Sequence, residues 1–322
     1  MGLTNVLKPQ IKHVVSVSGG KDSTATLLLA LERVGRENMR AIFCDTGNEH
    51  HEVYDYLDYL ELALEIKIDR LKADFSERIA KKRMFIARDM RTSRKNGKRL
   101  RWTNKAKRRA LSVLYPSGNP FLDLCIWKGR FPSRKAQFCT EELKTAIAVE
   151  YQISLVDAGH SVISWQGIRR DESHKRSTAK KYERIGKSMY AFRPIVDWTA
   201  SDVFTYCASR NINPNPLYTQ GMSRVGCMPC INVNKEELRQ ISSRFPENIE
   251  RISEWETIVA KASKRGNATF ISDLEKKQKN PTYNGIYSVV VWARTTHGGK
   301  QFSLLEQLED NKACSSSYGL CE

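Results

Sequence analysis

The stretch from His13 to Ala30 constrains this chain more than any other. A β-branched run, Val14-Val15-Ser16-Val17, ends in Ser18-Gly19-Gly20-Lys21-Asp22-Ser23, and an apolar segment of helical length, Thr24 to Ala30, follows at once. That order leaves the glycine turn on a helix N-terminus, where backbone N–H groups and the helix dipole attract anions. Gly19 and Gly20 let the backbone approach a polyanion, the Ser18 and Ser23 hydroxyls can donate, and Lys21 adds a point charge. The turn is a phosphate site in outline. Asp22 is its odd member, because a carboxylate beside phosphate is repulsive unless it holds a cation, accepts from a neighbouring N–H, or binds a metal that travels with a nucleotide. The Walker pattern is excluded: Asp22 follows Gly20-Lys21 where Ser or Thr is required, and Val15 occupies the place of the earlier glycine.

Met39 to Asp45 reads as a second buried strand, so strand, helix and strand form a parallel crossover unit. Asp45 and Thr46 close that strand at its carboxyl end, where open parallel sheets bind ligands, and they join the loop as nucleotide or metal contacts. His51 to Leu64 is a helix, Glu65 to Ile68 a short third strand, and Ser161 to Ile168 another strand. The last of these runs into Arg169, Arg170, Ser173 and Arg176, a loop suited to an anionic substrate. Thr199 and Asp202 form a capping box for a helix ending near Arg210, and Asn215-Pro216-Leu217-Tyr218 reads as extended. Amphipathic helices follow at about Lys235–Arg244 and Pro246–Arg265, and Ile286 to Trp292 reads as an added strand.

At 322 residues the chain has room for one large domain with an appendage. No apolar run reaches the roughly 18 residues of a membrane span, and the N-terminus lacks a signal-like block, so a soluble, cytoplasmic protein without membrane contact is expected. The net charge of +17 is concentrated: between Arg78 and Arg109 there are fifteen Lys or Arg against one acid, Asp89. So dense a segment repels itself unless a polyanion neutralises it, which makes nucleic acid the leading partner class; Trp102 and Tyr115 add flat aromatic surface nearby.

Eight cysteines, unevenly spaced, argue for metal or redox chemistry over a secreted disulfide framework. Cys227 and Cys230 place two ligands on one turn, and Cys314 and Cys321 in the tail would complete a four-thiolate site for zinc or an iron–sulfur cluster. The alternative combines Cys227 and Cys230 with Cys139. Thr140 can cap a helix running to about Tyr151, which would put Cys139 just ahead of a helix N-terminus, where the dipole favours thiolate; burial as an apolar thiol is the other outcome.

The glycine loop resembles the pyrophosphate loop of the ATP pyrophosphatase superfamily, whose members activate a substrate with AMP and release pyrophosphate. Further motifs occur in family order: Asp45 to Glu49, Phe138-Cys139-Thr140 with Leu143-Lys144, Gly167-Ile168-Arg169 with Asp171-Glu172-Ser173 and Arg176, Pro194-Ile195 with Trp198, and Asn215 to Tyr218 before Gly226-Cys227. Together they resemble the phosphoadenosine phosphosulfate reductase family over about residues 12–231. The resemblance implies an α/β fold with a doubly wound parallel sheet, of the adenine nucleotide α-hydrolase type. Residues 1–231 would form it, interrupted by a basic helical insertion at about 76–118, with a helical, cysteine-bearing part at 232–322.

Reductases proper tend to lack the loop Lys and Asp; Lys21 and Asp22 are present here, as in the ATP-using branch that includes sulfur-inserting enzymes acting on DNA phosphates or tRNA bases. The resemblance therefore implies an ATP-dependent sulfurtransferase that uses ATP and Mg²⁺, with a sulfur-donor protein as further partner. Lys21, Asp22 and Cys139 would carry the chemistry, and Ser18 to Ser23, Asp45, Thr46, Arg169 and Arg176 would bind the nucleotide. A sulfonucleotide reductase with Cys321 or Cys139 as nucleophile, and a non-enzymatic basic nucleic-acid-binding protein, are the alternatives.

Overall fold

The computed structural model describes residues 10–271 and 284–295, apart from the side chains of Lys98 and Arg99. Its first half alternates strand and helix: β1 (Ile11–Ser16), α1 (Lys21–Val34), β2 (Met39–Asp45), α2 (His51–Leu64) and β3 (Ile68–Lys72). The third strand begins later than the sequence predicts. Glu65 takes a left-handed conformation (φ 49°) to end α2, and the Ile68 N–H donates to Glu61 Oε1 at 2.6 Å, so pairing with β2 starts only at Ile68.

The basic segment forms α3 (Ser76–Ala87), a hairpin of β4 (Arg94–Lys95) and β5 (Lys98–Arg99), and α4 (Asn104–Leu111). It is not a free arm. Helix α3 packs on α4 and on α5 (Pro120–Lys128), and several of its cations are spent on backbone carbonyls: Lys82 on Ile126 and Trp127, Arg83 on Leu111, and Lys107 on Ala87 and Asp89. Trp102, expected as aromatic surface, is buried, and its N–H donates to Asp89 Oδ2 at 2.7 Å. Tyr115 is exposed with the Arg83 guanidinium 4.0 Å from its ring centroid.

The chain returns to the sheet through α6 (Phe138–Thr140), a π-helical turn at Glu141–Thr145, α7 (Ala146–Asp157), β6 (Ser161–Trp165), β7 (Tyr182–Arg184) and β8 (Met189–Phe192). Six strands form one sheet in the order β3-β2-β1-β6-β8-β7, parallel except for β7 at the edge. The pattern of β1 explains its central place. Val15 and Val17 face a large cluster with Leu27 and Leu28 of α1 and Leu57 of α2, while Val14 faces a smaller one with Ile42, Val162 and Ala148 of α7. Both faces are covered by helices, the arrangement that parallel sheets require. The connections leave β1 toward β2 on one side and reach β6 on the other, so β1 and β6 flank the switch point of the fold.

Then come α8 (Ala200–Ser209), α9 (Pro216–Thr219), α10 (Lys235–Arg244), α11 (Pro246–Ala262) and α12 (Ile286–Arg294). The capping box is present, with the Thr199 N–H donating to Asp202 Oδ2 at 2.8 Å. Two expectations are corrected. Asn215 caps the single turn of α9, accepting the Leu217 N–H at 3.0 Å, so this stretch is not extended. Residues 286–292 are helical, because they pack against α10 and α11 with Ile286, Val289, Val290 and Ala293 buried, and the Ile286 N–H donates to the buried Glu256 carboxylate at 2.9 Å. A continuous apolar run of this length is compatible with either element until its neighbours are known.

Candidate active site

The glycine loop stands at the carboxyl end of β1, where α1 begins. Gly19 has φ +81°, and a Cβ there would come within 3.0 Å of Val53 Cγ1, so glycine is required on both counts. The loop is tied from within: the Ser18 N–H and hydroxyl both reach Ser23 Oγ, at 3.1 and 3.0 Å, and Ser23 Oγ donates to the Gly20 carbonyl at 2.9 Å. It is also tied from α9. The Lys21 N–H donates to the Tyr218 hydroxyl at 3.0 Å, and Asn215 Nδ2 donates to the Gly19 carbonyl at 3.3 Å.

The buried Asp22 carboxylate accepts from Arg169 Nε at 2.7 Å and lies 3.3 Å from Lys21 Nζ. Of the three roles open to it in the sequence, it holds a cation, and the cation is Arg169. That guanidinium is itself buried and also grips Asp171 Oδ1 and Oδ2 at 2.5 and 2.6 Å. Burial works against its charge, but Asp22 and Asp171 raise its pKa. Glu172 accepts the Arg169 N–H at 3.1 Å and pairs with the Arg176 guanidinium. The loop after β6 is thus a net of alternating charges rather than an open anion receptor.

Asp45 is buried under the second strand-end loop, accepting from the Gly47 N–H at 2.9 Å and the Tyr54 hydroxyl at 2.7 Å and pairing with Lys72 at 3.0 Å. Thr46 donates its hydroxyl to Glu49 Oε1 at 2.7 Å and lies 3.5 Å from Cys227 Sγ.

One pocket opens between these loops, lined by Ser18, Thr46, Glu49, Lys144 and the thiols of Cys139, Cys227 and Cys230. Ser18 at the start of the glycine loop and three cysteines therefore line one pocket. Cys139 does not precede its helix, which starts at Phe138 with Thr140 already inside it. Burial pushes the Cys139 thiol up to about 12 and also raises Cys227, so of the two outcomes open to Cys139 in the sequence the structure favours the buried thiol over the helix-start thiolate. Lys144 lies on the π-helical turn. Desolvation acts against its ammonium, but Cys227, Glu49 and Cys230 outweigh it and raise the pKa, so the pocket floor carries a fixed cation. Among the described residues, no three of His, Cys, Asp or Glu converge as a metal site. Cys314 and Cys321 lie outside the described residues.

The chain matches the phosphoadenosine phosphosulfate reductase domain over residues 12–233. It belongs to the phosphoadenosine phosphosulfate reductase family. A relative from Escherichia phage 186, an uncharacterized 37.8 kDa protein in the gpa 5′ region, is 45% identical over 96% of both chains. An uncharacterized protein of Methanocaldococcus jannaschii is 28% identical over 79% of this chain but only 42% of its own length. An adenosine 5′-phosphosulfate reductase of Streptomyces coelicolor is 40% identical over 67 residues, 20% of this chain and 28% of that one. The phosphoadenylyl-sulfate reductase of Candida auris, solved as a phosphate complex, aligns with 70% of this chain and 85% of its own at 15% identity and a TM-score of 0.41.

The doubly wound α/β architecture expected from the resemblance, a mostly parallel sheet with helices on both faces, is the one observed. Four residues of the site were absent from the sequence-derived candidates: Glu49, Lys144, Asn215 and Tyr218. Each lies in a stretch that carries the family resemblance, but residue type alone does not show that Lys144 turns inward beside thiols or that Tyr218 reaches a loop 197 positions away.

Proposed function

We propose that this family member is an ATP-dependent sulfurtransferase that adenylylates nucleic acid, releases pyrophosphate and then inserts sulfur. The observation that carries this reading is the charged Lys21-Asp22 pair, with Asp22 held by Arg169, in a helix-start loop whose Ser18 lines one pocket with three thiols. Ser18 to Ser23 would hold the β- and γ-phosphates of ATP entering with Mg²⁺, while Asp45 and Thr46 shape the neighbouring rim and Arg169 and Arg176 keep the facing loop rigid. A substrate oxygen attacks the α-phosphorus, the bond to the bridging oxygen breaks, and pyrophosphate leaves with its electron pair. Sulfur from a donor protein then displaces AMP.

Cys227 and Cys230, with Cys139 or with Cys314 and Cys321, are the thiols that would hold an iron–sulfur cluster or zinc. The described residues do not converge on such a group, so no step is routed through it. Iron and zinc content with visible absorption after anaerobic purification decides whether one is bound.

The test is pyrophosphate release from ATP in the presence of DNA or RNA, with sulfur incorporation followed by mass spectrometry of the nucleic acid. Sulfite release from an adenylyl sulfate, with no pyrophosphate from ATP, would replace this reading by that of a sulfonucleotide reductase, the activity named for the Streptomyces relative.

A further inference from the structure

A second concavity lies between the end of α5 with the loop after it and residues 262–269 beyond α11. It is a groove of about 750 Å³ lined by Lys82, Trp127, Lys128, Arg130, Lys264 and Arg265, and no Asp or Glu is among its described lining residues. Arg130, Lys264 and Arg265 are exposed. The cations are held by the fold: Lys82 caps the Ile126 and Trp127 carbonyls, Lys264 donates to the Leu100 carbonyl at 2.7 Å, and Lys128 donates to Glu142 at 2.9 Å. Lys128 Nζ lies 4.0 Å from the Trp127 ring centroid.

We infer that this groove is the seat of a single strand of nucleic acid, an inference that deepens the proposed function and rests on its acceptor class. Two observations support it. The cationic lining, with Arg130, Lys264 and Arg265 exposed, is complementary to a phosphate backbone, and its volume is that of a ligand cleft of roughly 300–1,000 Å³, a capacity for a few nucleotides of one strand rather than for a duplex. Finally, the groove borders the chemistry: Lys128 and Arg130 lie 5.6 and 5.4 Å from the ring of Phe138, the residue before Cys139 of the thiol pocket. Most of these cations lie outside the basic segment between Arg78 and Arg109. Of the basic segment, Lys82 reaches the groove's described lining, and its ammonium caps the Ile126 and Trp127 carbonyls.

The experiment is fluorescence anisotropy of the full chain with labelled oligothymidylate, oligouridylate and a duplex of equal length, without ATP and across a salt series. Arg130→Glu with Arg265→Glu should weaken single-strand binding by more than about tenfold and reduce the slope of log K against log salt by about 1.4, roughly 0.7 for each lost phosphate contact. Arg94→Glu with Lys95→Glu on the exposed hairpin should change affinity by less than about twofold. Unchanged binding in the groove variant, a larger loss in the hairpin variant, or preference for the duplex would overturn the inference. Strand binding without pyrophosphate release would sink the catalytic reading alone. Nucleic-acid-dependent pyrophosphate release in wild type, with undiminished strand affinity in the groove variant, would sink the groove alone.

Discussion

Asp22 and Arg169 stand 147 positions apart and meet through a 2.7 Å hydrogen bond at the carboxyl ends of β1 and β6. The pairing explains why a carboxylate sits in a loop built for phosphate: its charge is matched before any ligand arrives. It also locks the two loops that flank the switch point of the sheet. Removing one partner of a buried ion pair strands the other, at a cost of about 3–5 kcal/mol. Arg169→Gln should therefore destabilise by on the order of 3 kcal/mol in urea unfolding, moderated by Lys21, which stays 3.3 Å from Asp22. Asp22→Asn should cost less, because Arg169 retains Asp171. Equal, negligible losses would show that the pair is not structural.

Gly167 is the second clamp on the same loop. A Cβ at this position would lie 2.8 Å from the Asp22 carbonyl oxygen and 2.9 Å from its carbon, and backbone cannot swing aside as a side chain can. Gly167→Ala should lower stability by roughly 1–3 kcal/mol. It should also weaken ATP binding, measured by titration of the folded variant; wild-type values for both would refute the close-approach account.

Lys21 lies at the mouth of the loop, its ammonium 3.3 Å from Asp22 and 5.5 Å from the Tyr218 ring centroid. Lys21→Ala should reduce pyrophosphate release by about 100-fold or more, the scale on which a preorganised charge stabilises a transition state. Nucleic-acid affinity should be unchanged, because Lys21 is not among the described residues that line the groove. ATP turnover surviving this change would remove the loop from the mechanism.

His50 gives a pH signature independent of catalysis. Its Nδ1 accepts the Glu52 N–H at 3.2 Å as the cap of α2, and its ring is buried 4.5 Å from Phe245. Burial first, then the neighbouring charges of His51 and Arg251, bring its pKa down to about 4. The unfolded chain, with a value near 6.5, binds a proton between those limits that the folded chain refuses. The stabilisation is complete above about pH 6.5 and is lost as pH falls toward 4, by on the order of 3 kcal/mol. His50→Asn, which keeps a capping acceptor, should flatten stability over that window in denaturant titrations at stepped pH.

Much of the sheet was legible in the residues because burial on both faces leaves a plain record: Met39 to Asp45 is apolar nearly throughout, and the β1 to α1 junction is marked by its glycines. Strand β8 was missed because Met189–Phe192 is too short to show a period, and it becomes a strand only by pairing with β6. Cys139 lies within its helical turn rather than ahead of it, and desolvation pushes its thiol up. The fifteen basic residues read as a patch for polyanions, yet Lys82, Arg83 and Lys107 are spent on carbonyls. A count of charges cannot tell a cap from a contact.

The sequence by itself determined the local grammar of this protein: which residues make strands, where a helix begins on a pair of glycines, and that a phosphate-binding turn results. These follow from backbone sterics and the spacing of apolar side chains, which act over a few residues. Only the tertiary structure decided that Arg169 neutralises Asp22, that Lys144 and three thiols face the same pocket as Ser18, and that the aligned cations line a groove beside it. Electrostatics and desolvation depend on distances through space, and those distances exist only once the chain has folded.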